Sequence, residues 1–150
     1  MNSVPRWIVV FFIVLSFAGF LDATYITVKH FQGGIIPCSL TEGCEPVLSS
    51  SYSKILGIPV SLIGVGYYLV VLLISIASLL HDQKIFRWAV YISFVGFVFS
   101  VWFTYVQIFK IHALCQYCLL SAVLTTLLCI GGLRVLQLRD ESSHSLKSGS

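Results

Sequence analysis

The chain has 150 residues, of which 57% are hydrophobic and only 10% are charged, and its formal net charge is +3. A soluble domain has roughly one quarter charged residues, so this composition argues against a water-soluble protein and favours one in contact with lipid. The small positive charge forms no basic patch, which argues against a nucleic-acid partner. The length allows one compact domain, which we expect to span residues 1–139.

Four apolar segments reach the length of about 20 residues that a helix needs to cross a bilayer. They are residues 7–28, 58–80, 88–109 and 113–133. Hydrocarbon offers no water to bond the backbone, so each segment should be a helix. The first follows Arg6 as a signal peptide would, but its apolar run is too long for one, and we expect an uncleaved helix. The sequence therefore predicts an all-α integral membrane protein, a bundle of four transmembrane helices.

The lysine and arginine residues predict the orientation of the bundle. Six of the nine lie in the N-terminus, the turn between the second and third spans, and the tail, while three lie in the two other loops. Cytoplasmic segments carry the Lys/Arg excess. We therefore expect a multi-pass protein of the plasma (inner) membrane with both termini in the cytoplasm, and a disordered cytoplasmic tail over residues 140–150.

The long loop between the first two spans, residues 29–57, should face outward. Its first half is rich in Gly and Pro and carries Cys38 and Cys44. In its second half, residues 47–56 place apolar side chains near one helical face. This spacing predicts a short amphipathic helix lying on the membrane surface.

A Cys-x-x-Cys pair, Cys115 and Cys118, stands where the fourth span begins. In the predicted orientation this pair and the loop cysteines all lie outside the cytoplasm, where disulfides persist. The spacing puts both sulfurs on one helical face, and the free N–H groups of a helix start stabilise a thiolate. Since the thiolate is the nucleophile of disulfide exchange, we interpret the four cysteines as a redox relay.

Other interpretations of these residues remain open. The four sulfurs could form two structural disulfides, or a Cys₄ zinc site, although the wide Cys38–Cys44 spacing disfavours zinc. Cys129 is typical of a buried small hydrophobe. Asp22 is either a functional intramembrane carboxylate or an interface residue. His112 either assists a thiolate or is simply polar surface.

Three segments carry a resemblance to a known family. They are "LDATYITVKH" at the end of the first span, "CEPVLSSSYSKILGIPVSLIG" after the loop cysteines, and "CQYC" at the fourth span. The chain resembles the vitamin K epoxide reductase family in its bacterial four-helix form. The match extends over most of residues 21–118. The DsbB-like quinone-linked proteins have their Cys-x-x-Cys in the first outward loop, whereas here that pair comes last.

The resemblance implies a role for each cysteine. Cys118 would face a quinone of the ubiquinone or menaquinone type, and Cys115 would exchange with Cys44. Cys38 would meet a thioredoxin-like (DsbA-like) protein. Ser50 matches a family serine near the quinone. The implied function is a membrane thiol-disulfide oxidoreductase that reduces quinone and supports extracytoplasmic disulfide formation. The alternative is a non-catalytic membrane protein with structural disulfides or zinc.

Four further features of the sequence bear on the resemblance to this family. Ser49 and Ser51 flank the matching serine on either side. Residues 47–56 resemble a lid over the quinone pocket. Ala122 stands where some members have a quinone-bonding tyrosine, so that contact is lost or made by another group. Many bacterial members carry a fused thioredoxin-like domain, which this sequence lacks, and we therefore expect the redox partner to be a separate chain.

Overall fold

The computed structural model describes residues 4–33, 43–81 and 84–148. In chain order the elements are α1 (Arg6–Gln32), α2 (Cys44–Ser49), a 3₁₀ turn (Ser51–Ser53), β1 (Lys54–Ile55), β2 (Ile58–Pro59), α3 (Val60–Leu80), α4 (Phe86–Val106), a π-helical turn (Gln107–Ile111) and α5 (Gln116–Ser148).

Four of these helices form a bundle, as the sequence predicts. The segments long and apolar enough to cross a membrane are Arg6–Gln32, Val60–Leu80, Phe86–Ile111 and Gln116–Leu138. Helix α1 packs against α3 and α5, and α4 packs against the same two helices, so the four are arranged in a ring. Large apolar side chains such as Trp7, Leu80 and Trp88 remain exposed on the outside, where lipid can solvate them.

One end of the bundle, which we call the closed end, is filled by side chains. It contains the first half of α1, the start of α4 and the middle of α5. Phe12 is fully buried there, and its ring meets Phe86 edge to face at a centroid distance of 4.9 Å. Buried serines such as Ser75 and Ser93 donate hydrogen bonds to carbonyls of their own helices. Small residues of this kind allow membrane helices to approach closely.

The loop between α1 and α3 differs from the single amphipathic helix expected over residues 47–56. A short helix is present, but it is α2, which ends at Ser49. The Ser50 hydroxyl donates to the Val47 carbonyl at 2.7 Å, and such local bonds compete with helix continuation. A small hairpin follows, in which Leu56 and Gly57 have φ of 52° and 84°. Two consecutive positive φ values are typical of the tight turn between antiparallel strands.

The last helix also differs from expectation at both ends. It begins at Gln116, three residues after the predicted start of the span, and it continues to Ser148, beyond the predicted end of the span at residue 133. The disordered tail over residues 140–150 stays a prediction. No Gly or Pro interrupts the chain between Gly132 and Gly149, so no local breaker ends the helix earlier. The division of the chain at residue 139 stays a prediction.

Candidate active site

The start of α5 is held in place by one buried glutamine. After α4 the chain makes the π-helical turn, and His112 then adopts a left-handed conformation with φ of 55°. The backbone carbonyl of Gln107 accepts hydrogen bonds from the N–H groups of His112 and Ala113. Its side-chain Oε1 accepts the N–H of Cys115 at 3.1 Å. Gln107 is 1% exposed, so these bonds are shielded from water and fix where the cysteine pair begins.

Sequence reasoning missed Gln107, although a signal was available. It is an uncharged polar residue inside an otherwise apolar span, eight residues before Cys115. A buried amide must find hydrogen-bond partners. That requirement would have suggested that Gln107 bonds to the backbone of the segment that follows α4.

Cys115 and Cys118 are free thiols at the first turn of α5. The Cys115 carbonyl accepts the Leu119 N–H at 3.0 Å, which starts the helix. The Cys118 thiol donates a hydrogen bond to Cys115 and, assisted by the backbone N–H groups of Cys118 and Tyr117, lowers the pKa of Cys115 to about 7. This outweighs the opposing effects of burial and of the Asp22 carboxylate. Cys115 is therefore suited to react as a thiolate.

Cys44 lies in the same buried cluster as Cys115, together with Val47 and Phe103. It is disulfide-bonded, unlike Cys115 and Cys118. The contact depends on Gly43, since a Cβ atom there would lie 2.7 Å from the backbone nitrogen of Leu114. A side chain at this position would push the start of α2 away from the Cys-x-x-Cys segment. Cys38 lies outside the described residues.

A cavity of about 240 Å³ opens between the four long helices beside Cys118. Its wall is almost entirely apolar, and Leu48 of α2 and Ser53 of the 3₁₀ turn contribute from the loop between α1 and α3. The remaining lining residues are Asp22, Ala23, Ile26, His30, Pro59, Val60, Ser61, Ile63, Gly64, Tyr67, Tyr68, Val95, Gly96, Phe99, Ser100, Phe103, Thr104, Tyr117, Ser121 and Thr125.

Some polar groups on the wall are satisfied by the protein. The Tyr68 hydroxyl bonds the Ser121 hydroxyl at 2.8 Å, and the Thr125 hydroxyl donates to the Ser100 hydroxyl at 2.8 Å. In the part of the chain that the structure describes, two buried side-chain oxygens have no partner, Oδ2 of Asp22 and the hydroxyl of Tyr67, and both residues line this cavity. An apolar space with polar atoms left to bond suits a quinone, which is an apolar ring bearing carbonyl oxygens.

The predicted site residues are thus partly brought together. Cys44 and Cys115 share one buried cluster, and Cys118 lines the cavity. Ser50 does not line the cavity, because its hydroxyl is turned to the Val47 carbonyl, while Ser53, three residues on, does line it. A role for Ser50 stays a prediction. Sequence reasoning did not single out Ser53.

Comparison with known proteins agrees with this architecture. No curated protein matches the chain. The sequence profile of the vitamin K epoxide reductase family matches residues 10–131, which include the second and third spans, most of the first and fourth, and the Cys-x-x-Cys pair. Family members are membrane oxidoreductases of thiols and disulfides that work with quinones. By this match over most of its length, the chain belongs to the vitamin K epoxide reductase family.

Proposed function

We propose that this protein oxidises a thioredoxin-like (DsbA-like) dithiol protein outside the cytoplasm and delivers the electrons to a membrane quinone. The Cys38–Cys44 pair receives the electrons first, and the Cys115–Cys118 pair transfers them to the quinone. The net result is disulfide formation in extracytoplasmic proteins. The quinone is the terminal electron acceptor, of the ubiquinone or menaquinone type, and is a substrate that leaves as quinol.

The observation that carries this proposal is the arrangement of the sulfurs at one end of the bundle. Cys118 lines the apolar cavity, while Cys115, three residues earlier, packs in the cluster that contains Cys44. One cysteine pair therefore connects the loop to the membrane interior. A relay needs both contacts, and a purely structural disulfide needs neither.

The electron path balances at each step. The partner dithiol reduces the Cys38–Cys44 disulfide and becomes a disulfide itself. The Cys44 thiolate then attacks Cys115 in an oxidised Cys115–Cys118 pair, and Cys38 resolves the mixed disulfide. This restores the loop disulfide and leaves Cys115 and Cys118 as thiols. Those two thiols lose two electrons and two protons to the quinone, and their disulfide re-forms.

The membrane orientation is part of the proposal. The lysine and arginine distribution favours cytoplasmic termini, which puts the cysteine end outside, in the compartment where disulfides form. The plasma membrane supplies both this compartment and a quinone pool. The thioredoxin-like partner is proposed as a separate protein.

The test is anaerobic mixing of reduced protein in lipid nanodiscs with menadione or ubiquinone-1, followed by quinol absorbance and mass-spectrometric mapping of disulfides. We expect two quinols per fully reduced protein, one from each cysteine pair, and re-formation of the Cys115–Cys118 and Cys38–Cys44 disulfides. The variants Cys115→Ala and Cys118→Ala should form none, whereas Cys129→Ala, which removes a free thiol within α5, should match the wild type.

Two outcomes would overturn the proposal. Quinol formation at the wild-type rate in either active-site variant would show that this pair does not carry the electrons. No reduction of either quinone, together with stoichiometric zinc in the purified protein, would favour a structural metal site.

A further inference from the structure

The two oxygens without partners, Oδ2 of Asp22 and the hydroxyl of Tyr67, belong to different helices, α1 and α3. Leaving a buried polar group unbonded is costly, and within a membrane no lipid tail can supply the missing bond. Native proteins leave few such groups, and each calls for a physical explanation. Both of these residues line the cavity that contains Cys118.

The position of Tyr67 is fixed by its surroundings. Its ring meets that of Tyr68 edge to face at 5.0 Å. The ring and the hydroxyl also lie against Gly96 of α4, where an added Cβ atom would collide with both. A glycine at this position thus lets the Tyr67 phenol of α3 pack against α4 at the cavity wall. The neighbouring Tyr68 shows the contrast, because its hydroxyl is bonded to Ser121.

Asp22 is coupled to the thiol pair. Its carboxylate opposes ionisation of Cys115 and so raises the pKa of that thiol, which is possible only if the two groups are within electrostatic range. No lysine or arginine is found among the lining residues, and His30 is the one side chain there that can carry a positive charge. The other ionisable groups on the wall are Tyr67, Tyr68, Tyr117 and Cys118.

We propose that Asp22 and Tyr67 bind the carbonyl oxygens of the quinone, and that Asp22 also supplies one of the protons that quinol formation requires. This inference rests on the proposed function. A phenol and a carboxylic acid each carry an O–H donor, and a carbonyl oxygen only accepts, so both donors match the acceptor that the substrate brings.

The protons released by the thiols equal those that the quinone takes up, with Asp22 as an intermediate carrier. Oxidation of the thiol pair breaks two S–H bonds and forms one S–S bond, and reduction of the quinone forms two O–H bonds. The Asp22 carboxyl gives its proton to one carbonyl oxygen and takes one thiol proton in exchange, so it ends as it began, and the other thiol proton passes to the second carbonyl oxygen. General acid catalysis of this kind contributes about 10²–10⁴-fold to a rate.

The test uses the full-length protein in lipid nanodiscs and two readouts. The first is equilibrium binding of menadione and of ubiquinone-1 to the fully oxidised protein, which cannot reduce them. The second is the single-turnover rate of quinol formation by the reduced protein. The variants are Tyr67→Phe, Asp22→Leu and Asp22→Asn. The control is Ser75→Ala, which deletes a buried hydroxyl of α3 that donates to Val71 and does not line the cavity.

We expect Tyr67→Phe and Asp22→Leu each to weaken quinone binding about tenfold, the effect of one lost hydrogen bond. Asp22→Asn retains an N–H donor, so its binding should stay within about threefold of wild type, while its quinol formation falls about 100-fold for want of the proton. Ser75→Ala should match the wild type in both readouts.

Wild-type affinity in both Tyr67→Phe and Asp22→Leu would overturn the binding role, and undiminished turnover in Asp22→Asn would overturn the proton role. If Asp22→Leu does not fold, Tyr67→Phe decides the binding role, since it removes a single oxygen atom. Failure of the wild type to bind or reduce either quinone would instead reject the proposed function, so the two failures are distinguishable.

Discussion

The two ends of the bundle are built from the same four helices but are packed in different ways. At the closed end, Phe12, Phe86 and Leu128 are fully buried in one cluster. At the other end the helices enclose a cavity of about 240 Å³, and the buried cluster there is smaller and contains Cys44 and Cys115. Side chains fill the space at one end and border a space at the other.

Glycines at both ends let an aromatic ring approach a neighbouring helix, but the rings have different roles at the two ends. At the closed end, Gly131 lets the Phe12 ring approach α5, so the ring fills the interior. At the cavity end, Gly19 and Gly96 receive the rings of Tyr68 and Tyr67, and each ring then forms part of the cavity wall. The comparison teaches that the closely packed side chains and the cavity beside the cysteines lie at different ends of the bundle. The largest losses of stability should follow changes at the closed end, and the largest losses of reactivity should follow changes at the cavity end.

The largest expected effect is at the closed end. Phe12→Ala should lower the free energy of unfolding by about 3–5 kcal/mol, because a fully buried ring is removed and a void remains. Unfolding titration in detergent measures this loss. Quinone affinity of the folded variant should be unchanged, since Phe12 does not line the cavity. A large loss of affinity in a folded variant would contradict the separation of the two ends.

The second effect concerns the contact between the two cysteine pairs. Gly43→Ala would put a Cβ atom 2.7 Å from the Leu114 nitrogen and 3.0 Å from its carbonyl carbon, and the backbone cannot yield. In a reduced protein that also carries Cys38→Ser and Cys118→Ser, added diamide, which takes up two electrons and two protons, should form the Cys44–Cys115 disulfide about tenfold or more slowly. Non-reducing electrophoresis measures the rate at which this disulfide forms. Gly66→Ala, where a Cβ atom meets nothing, is the matched control and should not slow it.

The third effect is on the ionisation of Cys115. With a pKa of about 7, its thiolate should appear as the pH rises through neutrality, and the thiol should be neutral in mild acid. The difference in ultraviolet absorbance between the reduced wild type and Cys115→Ser measures this titration. Cys118→Ala removes the S–H donor, so the midpoint should rise toward the value of about 8.5 that is usual for a free cysteine. An unchanged midpoint would show that Cys118 does not stabilise the thiolate.

The smallest effect is expected at Tyr68, whose hydroxyl links α3 to Ser121 of α5. Tyr68→Phe should lower stability by about 0.6 kcal/mol, the average for hydrogen bonds between membrane helices. A double-mutant cycle with Ser121→Ala isolates this bond. Fully additive losses would mean that the two hydroxyl groups do not interact.

The sequence alone determined the number and type of the long elements. Twenty consecutive apolar residues need a membrane, and a membrane requires the backbone to bond within itself, so the four spans follow from composition and length. The sequence also pointed to Cys115 and Cys118 as the candidate reactive pair, because this prediction depends only on their spacing and on a helix start. Neither conclusion needed knowledge of which helices are neighbours.

Only the tertiary structure decided what surrounds those sulfurs. Lipid is as apolar as the interior of the bundle, so the sequence does not show which face of a span is buried. The bond from Cys115 to Gln107, the contact of Gly43 with Leu114 and the meeting of Asp22 with Tyr67 at one cavity all depend on how the helices are rotated against one another. That rotation is set by the close packing of side chains from distant parts of the chain, which no local pattern records.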